Sequence, residues 1–154
     1  MKALVTYFSA SGVTAETAKA LAKAIDADLF EIVPEKPYTE AEINWKNPLS
    51  RCNKEKIGKK DVPVAGTIEN FEQYDVVFIG FPIWYAAAPN VVYTFAKGYD
   101  WTGKRIGLFA TSGGSGIGKT ASKLQPYVKG AEIVDGQANM SLDEASLKAW
   151  AEAI

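Results

Sequence analysis

Three stretches of strand formers carry almost no alternation of polar and apolar residues: residues 2–8 (KALVTYF), 75–81 (DVVFIGF) and 105–111 (RIGLFAT). A strand with one wet face alternates with period two, so near-continuous apolar runs mark strands covered on both faces. Polar, glycine- or proline-marked residues follow each run, and helical spacing follows them. Behind the first run, Ala15, Ala18, Leu21, Ala22 and Ile25 recur at helical intervals, with Thr14 expected as N-cap and Glu16 in the first turn. Residues 28–33 (DLFEIV), closed by Pro34, predict a second strand, and residues 132–134 a short last one. Helices are expected over residues 90–97, 119–128 and from 143 to the end. The order βαβ…βαβαβα predicts an α/β fold, a five-stranded parallel sheet with helices on both faces and right-handed crossovers. At 154 residues this is one domain, 1–154, long enough to bury its own core.

Residues 36–66, beyond Pro34, are the least regular part, punctuated by Pro37, Pro48 and Pro63. One short helical turn is expected at 39–43. A longer helix is expected at 48–57, with Asn47 as cap and Gly58 as stop. Lys54, Lys56, Lys59 and Lys60 are interrupted by Glu55 and Asp61, which reads as a solvated face rather than a phosphate patch. Trp45, with Tyr38 and Arg51, reads equally as core packing under a long crossover or as one wall of a substrate pocket.

Composition removes whole classes of chemistry. The chain has no histidine, which excludes an imidazole base, a Ser-His-Asp triad and a histidine metal site. Its one cysteine, Cys52, excludes an intramolecular disulfide and a CxxC centre; with no histidine or second thiol beside it, it is not read as catalytic. Net charge is −1, so no bulk field draws nucleic acid or an anionic membrane. The apolar start is too short for a signal sequence, and no run approaches a membrane span. The expectation is a cytoplasmic, reduced protein with no metal site.

In an open parallel sheet, ligands bind beyond the carboxyl ends of the strands. Three loops leave such ends here. Residues 9–14 (SASGVT) offer three hydroxyls and a glycine at a helix start, with Thr17 one turn in. Free N–H groups, the positive dipole end and neutral donors suit a phosphate without any Lys or Arg; the plain alternative is helix capping. Residues 82–89 (PIWYAAAP) place Trp84 and Tyr85 side by side between prolines. One of two adjacent aromatics should be exposed, as a platform for a planar ring; the alternative is an apolar plug beneath the loop. Residues 111–118 (TSGGSGIG) hold four glycines that let backbone lie close against a ligand.

Residues 113–120 (GGSGIGKT) also match the P-loop pattern GxxxxGK[ST]. A P-loop usually follows the first strand of its core and needs a later strand ending in Asp. Only 34 residues follow Thr120, and EIVD at 132–135 is the sole candidate. Nucleotide triphosphate binding is therefore the minor reading.

Together the loops resemble those of the flavodoxins. YFSASGVTAET (7–17) looks like the flavodoxin phosphate loop, DVVFIGFPIWYAAAP (75–89) like the strand and loop beside the flavin ring, and LFATSGGSGIG (108–118) like its counterpart on the other edge. PYTEAEINWKNPLSR (37–51) is similar to a subgroup of bacterial flavodoxin-like proteins. The resemblance implies a short-chain, three-layer flavodoxin-like sandwich of strand order 2-1-3-4-5, with FMN held non-covalently. Ser9, Ala10, Ser11, Gly12, Val13 and Thr14 would hold the phosphate. Pro82, Ile83, Trp84 and Tyr85 would line the ring. Thr111, Ser112, Gly113, Gly114 and Ser115 would face the pyrimidine side and ribityl chain.

The implied function is electron transfer between a reductase and an acceptor protein, in a monomer or weak dimer, with no catalytic residue of its own. The alternative is a small FMN-dependent oxidoreductase acting on a quinone or similar acceptor. Two departures from the family bear on this choice. Electron-carrying flavodoxins are usually strongly acidic, whereas this chain is at −1 and its residues 82–89 and 111–118 contain no Asp or Glu. The ring loop also has Ala86, Ala87 and Ala88 where the family often has a glycine, and a flip to positive φ costs about 1–2 kcal/mol more at Ala. Both features predict a narrow gap between the two one-electron potentials.

Overall fold

The computed structural model describes residues 2–36, 39, 41–43, 46, 50, 51, 62–85, 87–112 and 116–154. The strands are β1 (Ala3–Tyr7), β2 (Asp28–Glu31), β3 (Val33–Pro34), β4 (Val64–Ala65), β5 (Val76–Pro82), β6 (Arg105–Thr111) and β7 (Glu132–Ala138). The α-helices among the described residues are α1 (Val13–Ile25), α2 (Asn90–Lys97), α3 (Thr120–Leu124) and α4 (Glu144–Glu152). Five strands form one parallel sheet in the order β2-β1-β5-β6-β7. Counting only those five in chain order, this is the expected 2-1-3-4-5. β3 and β4 form a separate antiparallel pair across the irregular crossover.

The central strands are buried on both faces, as their apolar runs require. Leu4, Val77, Ile79, Phe81, Ile106 and Leu108 pack toward Val91, Val92 and Phe95 of α2 and Leu124 of α3. On the opposite face Val5, Tyr7, Phe78 and Phe109 pack against Ala18 and Leu21 of α1 and Leu147 and Ala151 of α4. The one polar side chain inside β1, Thr6, donates to the Phe78 carbonyl at 2.8 Å.

Two glycines interlock the α1/α4 face of the sheet. Gly80 sits opposite Phe109, and Phe78 opposite Gly107, in register across β5 and β6. A Cβ at Gly80 would lie 2.1 Å from the Phe109 ring, and one at Gly107 2.9 Å from Phe78. Each ring therefore lies over the glycine facing it.

Several boundaries differ from expectation. Gly12, at φ 96°, is the residue that caps α1, and Thr14 lies inside the helix. β7 runs to Ala138 rather than stopping at Val134, because an edge strand accommodates the polar Asp135-Gly136-Gln137. The helix expected at 119–128 splits into α3 and a 3₁₀ turn at Gln125–Tyr127, where Pro126 cannot donate to a longer helix. The expected turn at 39–43 is the 3₁₀ helix Ala41–Ile43, held by reciprocal bonds between Thr39 and Glu42. Tyr38, Trp45, Cys52, the Lys54–Lys60 cluster and most of the helix expected at 48–57 lie outside the described residues.

Candidate functional site

Parallel β1, β5 and β6 all end on one side of the sheet, so their following loops gather there. Pairing continues past the strand ends. Phe8 N–H donates to the Gly80 carbonyl and Ile83 N–H to the Thr111 carbonyl, both at 2.9 Å. The three loops therefore emerge at fixed spacing.

In the first loop, Ser9 Oγ accepts from Gly12 N–H at 3.0 Å, which closes the turn into α1 and leaves the Ser9 proton to donate. No side chain caps α1. Its first intrahelical bond runs from Glu16 N–H to the Gly12 carbonyl, so the N–H groups of Val13, Thr14 and Ala15 stand at the positive end of the helix. Ser11, Gly12 and Val13 are exposed around them. Thr14 is 2% exposed, and its hydroxyl lies 2.7 Å from that of Thr111, itself 7% exposed. This bond ties the start of α1 directly to the end of β6.

The second loop contains a tight turn. Trp84 N–H donates to the Ala87 carbonyl at 2.9 Å, and Ala87 N–H returns the bond to Trp84 at 3.2 Å. Trp84 is half-buried and meets Phe8 edge-on, with ring centroids 5.7 Å apart. Tyr85 is 42% exposed and takes the positive φ of the turn, 57°. The expectation of one exposed aromatic is met by Tyr85. Pro82 and Ile83 are half-buried beside it. Ala86 lies outside the described residues; Ala87 and Ala88 are buried.

Gly113, Gly114 and Ser115 lie outside the described residues, but the entry to the third loop is anchored at Ser112. Asn139 Oδ1 accepts from Ser112 N–H at 2.8 Å, and Asn139 Nδ2 donates to Ser112 Oγ at 3.1 Å. Asn139 adopts φ 54°, a left-handed conformation that Asn tolerates better than most residues. Sequence reading missed this clamp. Asn139 follows the observed end of β7, four residues past the end expected for that strand, so no local signal marked it.

Among the described residues of the P-loop match, Thr120 does not face a nucleotide's metal. Thr120 is fully buried, and its hydroxyl donates to the Ile117 carbonyl at 2.7 Å instead of facing a metal. Asp135 accepts from Gln137 at 3.0 Å and Trp150 at 2.8 Å, and these bonds hold its carboxyl below the usual range. No group of metal-ligating side chains occurs among the described residues. No helix among them is long and apolar enough to cross a membrane.

A family model described as flavodoxin matches residues 2–154. The chain is 40% identical to a protein of Bacteroides eggerthii DSM 20697 assigned to the flavoproteins, covering 99% of this chain and 97% of that one, with TM-score 0.91. A Bacteroides uniformis ATCC 8492 protein with the same assignment is 36% identical over 98% and 97%, with TM-score 0.90. A flavoprotein of Lactobacillus acidophilus NCFM solved in complex with FMN shares the fold at 21% identity, over 97% and 98%, with TM-score 0.71. No curated protein sequence matches the chain.

Proposed function

The chain belongs to the flavodoxin family, and on that premise we propose that it binds FMN non-covalently and carries electrons between two redox partner proteins. The observation that carries this reading is the convergence of an uncapped helix start with an exposed aromatic at the ends of neighbouring strands.

The donor set fits the group. A phosphate monoester needs several donors and gains from a positive dipole. The first loop offers backbone N–H groups at residues 13–15 and hydroxyls at Ser9 and Ser11, and contains no carboxylate. Gly12 lets the backbone turn at φ 96° with open space where a Cβ would stand. Tyr85 and Trp84 offer flat surface for a ring, while Asn139 holds Ser112 so that its loop can face the ring's polar edge. When bound, FMN supplies one- and two-electron chemistry. The residues bind it, orient it and set the charge around it. Because residues 82–89 and 111–118 carry no carboxylate, nothing in those loops opposes negative charge on the ring, so the two one-electron potentials lie close together.

The same neutrality favours a second reading, direct reduction of an uncharged acceptor such as a quinone. Steady-state NADPH oxidation with a quinone separates the two. A carrier turns over only when a flavoprotein reductase is added, whereas an oxidoreductase turns over alone. Turnover without reductase overturns the carrier reading.

A further inference from the structure

We infer that Thr111 is a positioning residue for the phosphate end of the site, acting through Thr14 rather than on the flavin ring. This rests on the FMN reading above. Resemblance alone assigns Thr111 to the ring side with the rest of its loop. Its side chain points elsewhere. Strand alternation puts Gly107, Phe109 and Thr111 on the face of β6 that meets α1, and there the Thr111 hydroxyl lies 2.7 Å from that of Thr14.

Counting protons gives the pair a direction. Two hydroxyls hold two protons, and one proton makes the bond between them. The other must go to a further acceptor. A threonine deep in a helix can use the carbonyl one turn back. Thr14 is the second residue of α1, so its residue four back, Ala10, lies in the loop. The acceptor available at a positive helix end is an anion. With a phosphate there, Thr14 donates to it, and the Thr14 oxygen accepts from Thr111. Thr111 is thereby committed as donor to Thr14. Removing its hydroxyl takes away the donor that holds the Thr14 oxygen and so its support as a donor.

The test compares FMN with riboflavin, which lacks the phosphate, by flavin fluorescence quenching on apoprotein. Thr111→Val should weaken FMN roughly three- to tenfold, the worth of one hydrogen bond, and leave riboflavin unchanged. Thr111→Ser keeps the hydroxyl and should bind FMN as the unaltered protein does. Thr14→Val should also weaken FMN selectively, and adding Thr111→Val to it should cost nothing more. If the valine variant folds poorly by circular dichroism, Thr111→Cys, a weak donor of similar size, should show the same selective loss. Equal weakening of both ligands by Thr111→Val would place Thr111 at the ring and overturn the inference, as would no effect on either. If Thr14→Val leaves the FMN-to-riboflavin ratio unchanged, the phosphate assignment of the first loop itself fails. If Thr14→Val is selective and Thr111→Val is not, only the positioning role fails.

Discussion

Replacing Gly80 with alanine would put a methyl carbon 2.1 Å from Cε2 and 2.2 Å from Cζ of Phe109, where ordinary contact begins at 3.4 Å. Phe109 is fully buried between the sheet and the α1/α4 layer, so the ring cannot recede without moving its neighbours. Overpacking of a close-packed core typically costs about 1–3 kcal/mol, and the severity of this overlap puts Gly80→Ala at the upper end. Phe109→Leu alone removes ring atoms and leaves a partial cavity, for about 1–2 kcal/mol. Combined, the new methyl occupies part of the space the ring vacated. The double variant should therefore be more stable than the sum of the singles by about 1–2 kcal/mol, well above the ~0.5 kcal/mol scatter of independent sites. Urea unfolding followed by circular dichroism reads this directly. At a slope near 2 kcal/mol/M, Gly80→Ala lowers the midpoint by about 1 M or more at unchanged slope. Additive losses, or a Gly80→Ala variant as stable as the unaltered protein, would refute the interlocked packing.

Asn139→Ala should lower stability by about 1–2 kcal/mol, from two exposed hydrogen bonds and an unfavourable left-handed alanine, and should weaken FMN and riboflavin equally because it frees the ring-side loop; a loss confined to FMN would place the clamp elsewhere. Burial, followed by the hydrogen bond to Asp28 and its charge, pushes the Tyr74 phenol up from 10.0 to about 12. The folded state thus holds this proton more tightly than the unfolded chain. The stability it contributes is complete below pH 10 and is lost as pH rises toward 12. Urea midpoints across that range should fall more steeply for the unaltered protein than for Tyr74→Phe, and parallel curves would contradict the assignment. Lys119→Ala should leave FMN affinity unchanged, and calorimetry should detect no magnesium-dependent ATP binding in the unaltered protein; micromolar ATP binding lost in the variant would restore the P-loop reading.

The central architecture was legible because burial on both faces leaves an unmistakable apolar run. β6 begins and ends where RIGLFAT does. The edge was not, since the outer half of β7 is polar and half-exposed, and nothing in Asp135-Gly136-Gln137 reads as strand. At the site, the three loops could be named from residue types, but side-chain direction could not. A threonine at a helix start has the composition of a cap, and only the placement of α1 against β6 turns its hydroxyl toward Thr111. The left-handed turn at Tyr85 was hidden for a related reason. Sequence locates positive φ at glycines, and here the tight Trp84–Ala87 turn places it on a tyrosine. Asn139 escaped notice because its role depends on a residue 27 positions away.

The central claim, that the uncapped start of α1 and the exposed aromatic beside it hold FMN, is tested most directly by titrating apoprotein with FMN and with riboflavin. Absorbance should record binding, and fluorescence the stoichiometry. The account predicts one FMN per chain, bound far more tightly than riboflavin, with the preference reduced in Ser11→Ala as a phosphate donor is lost. No flavin binding, or equal affinity for the two ligands, would contradict it.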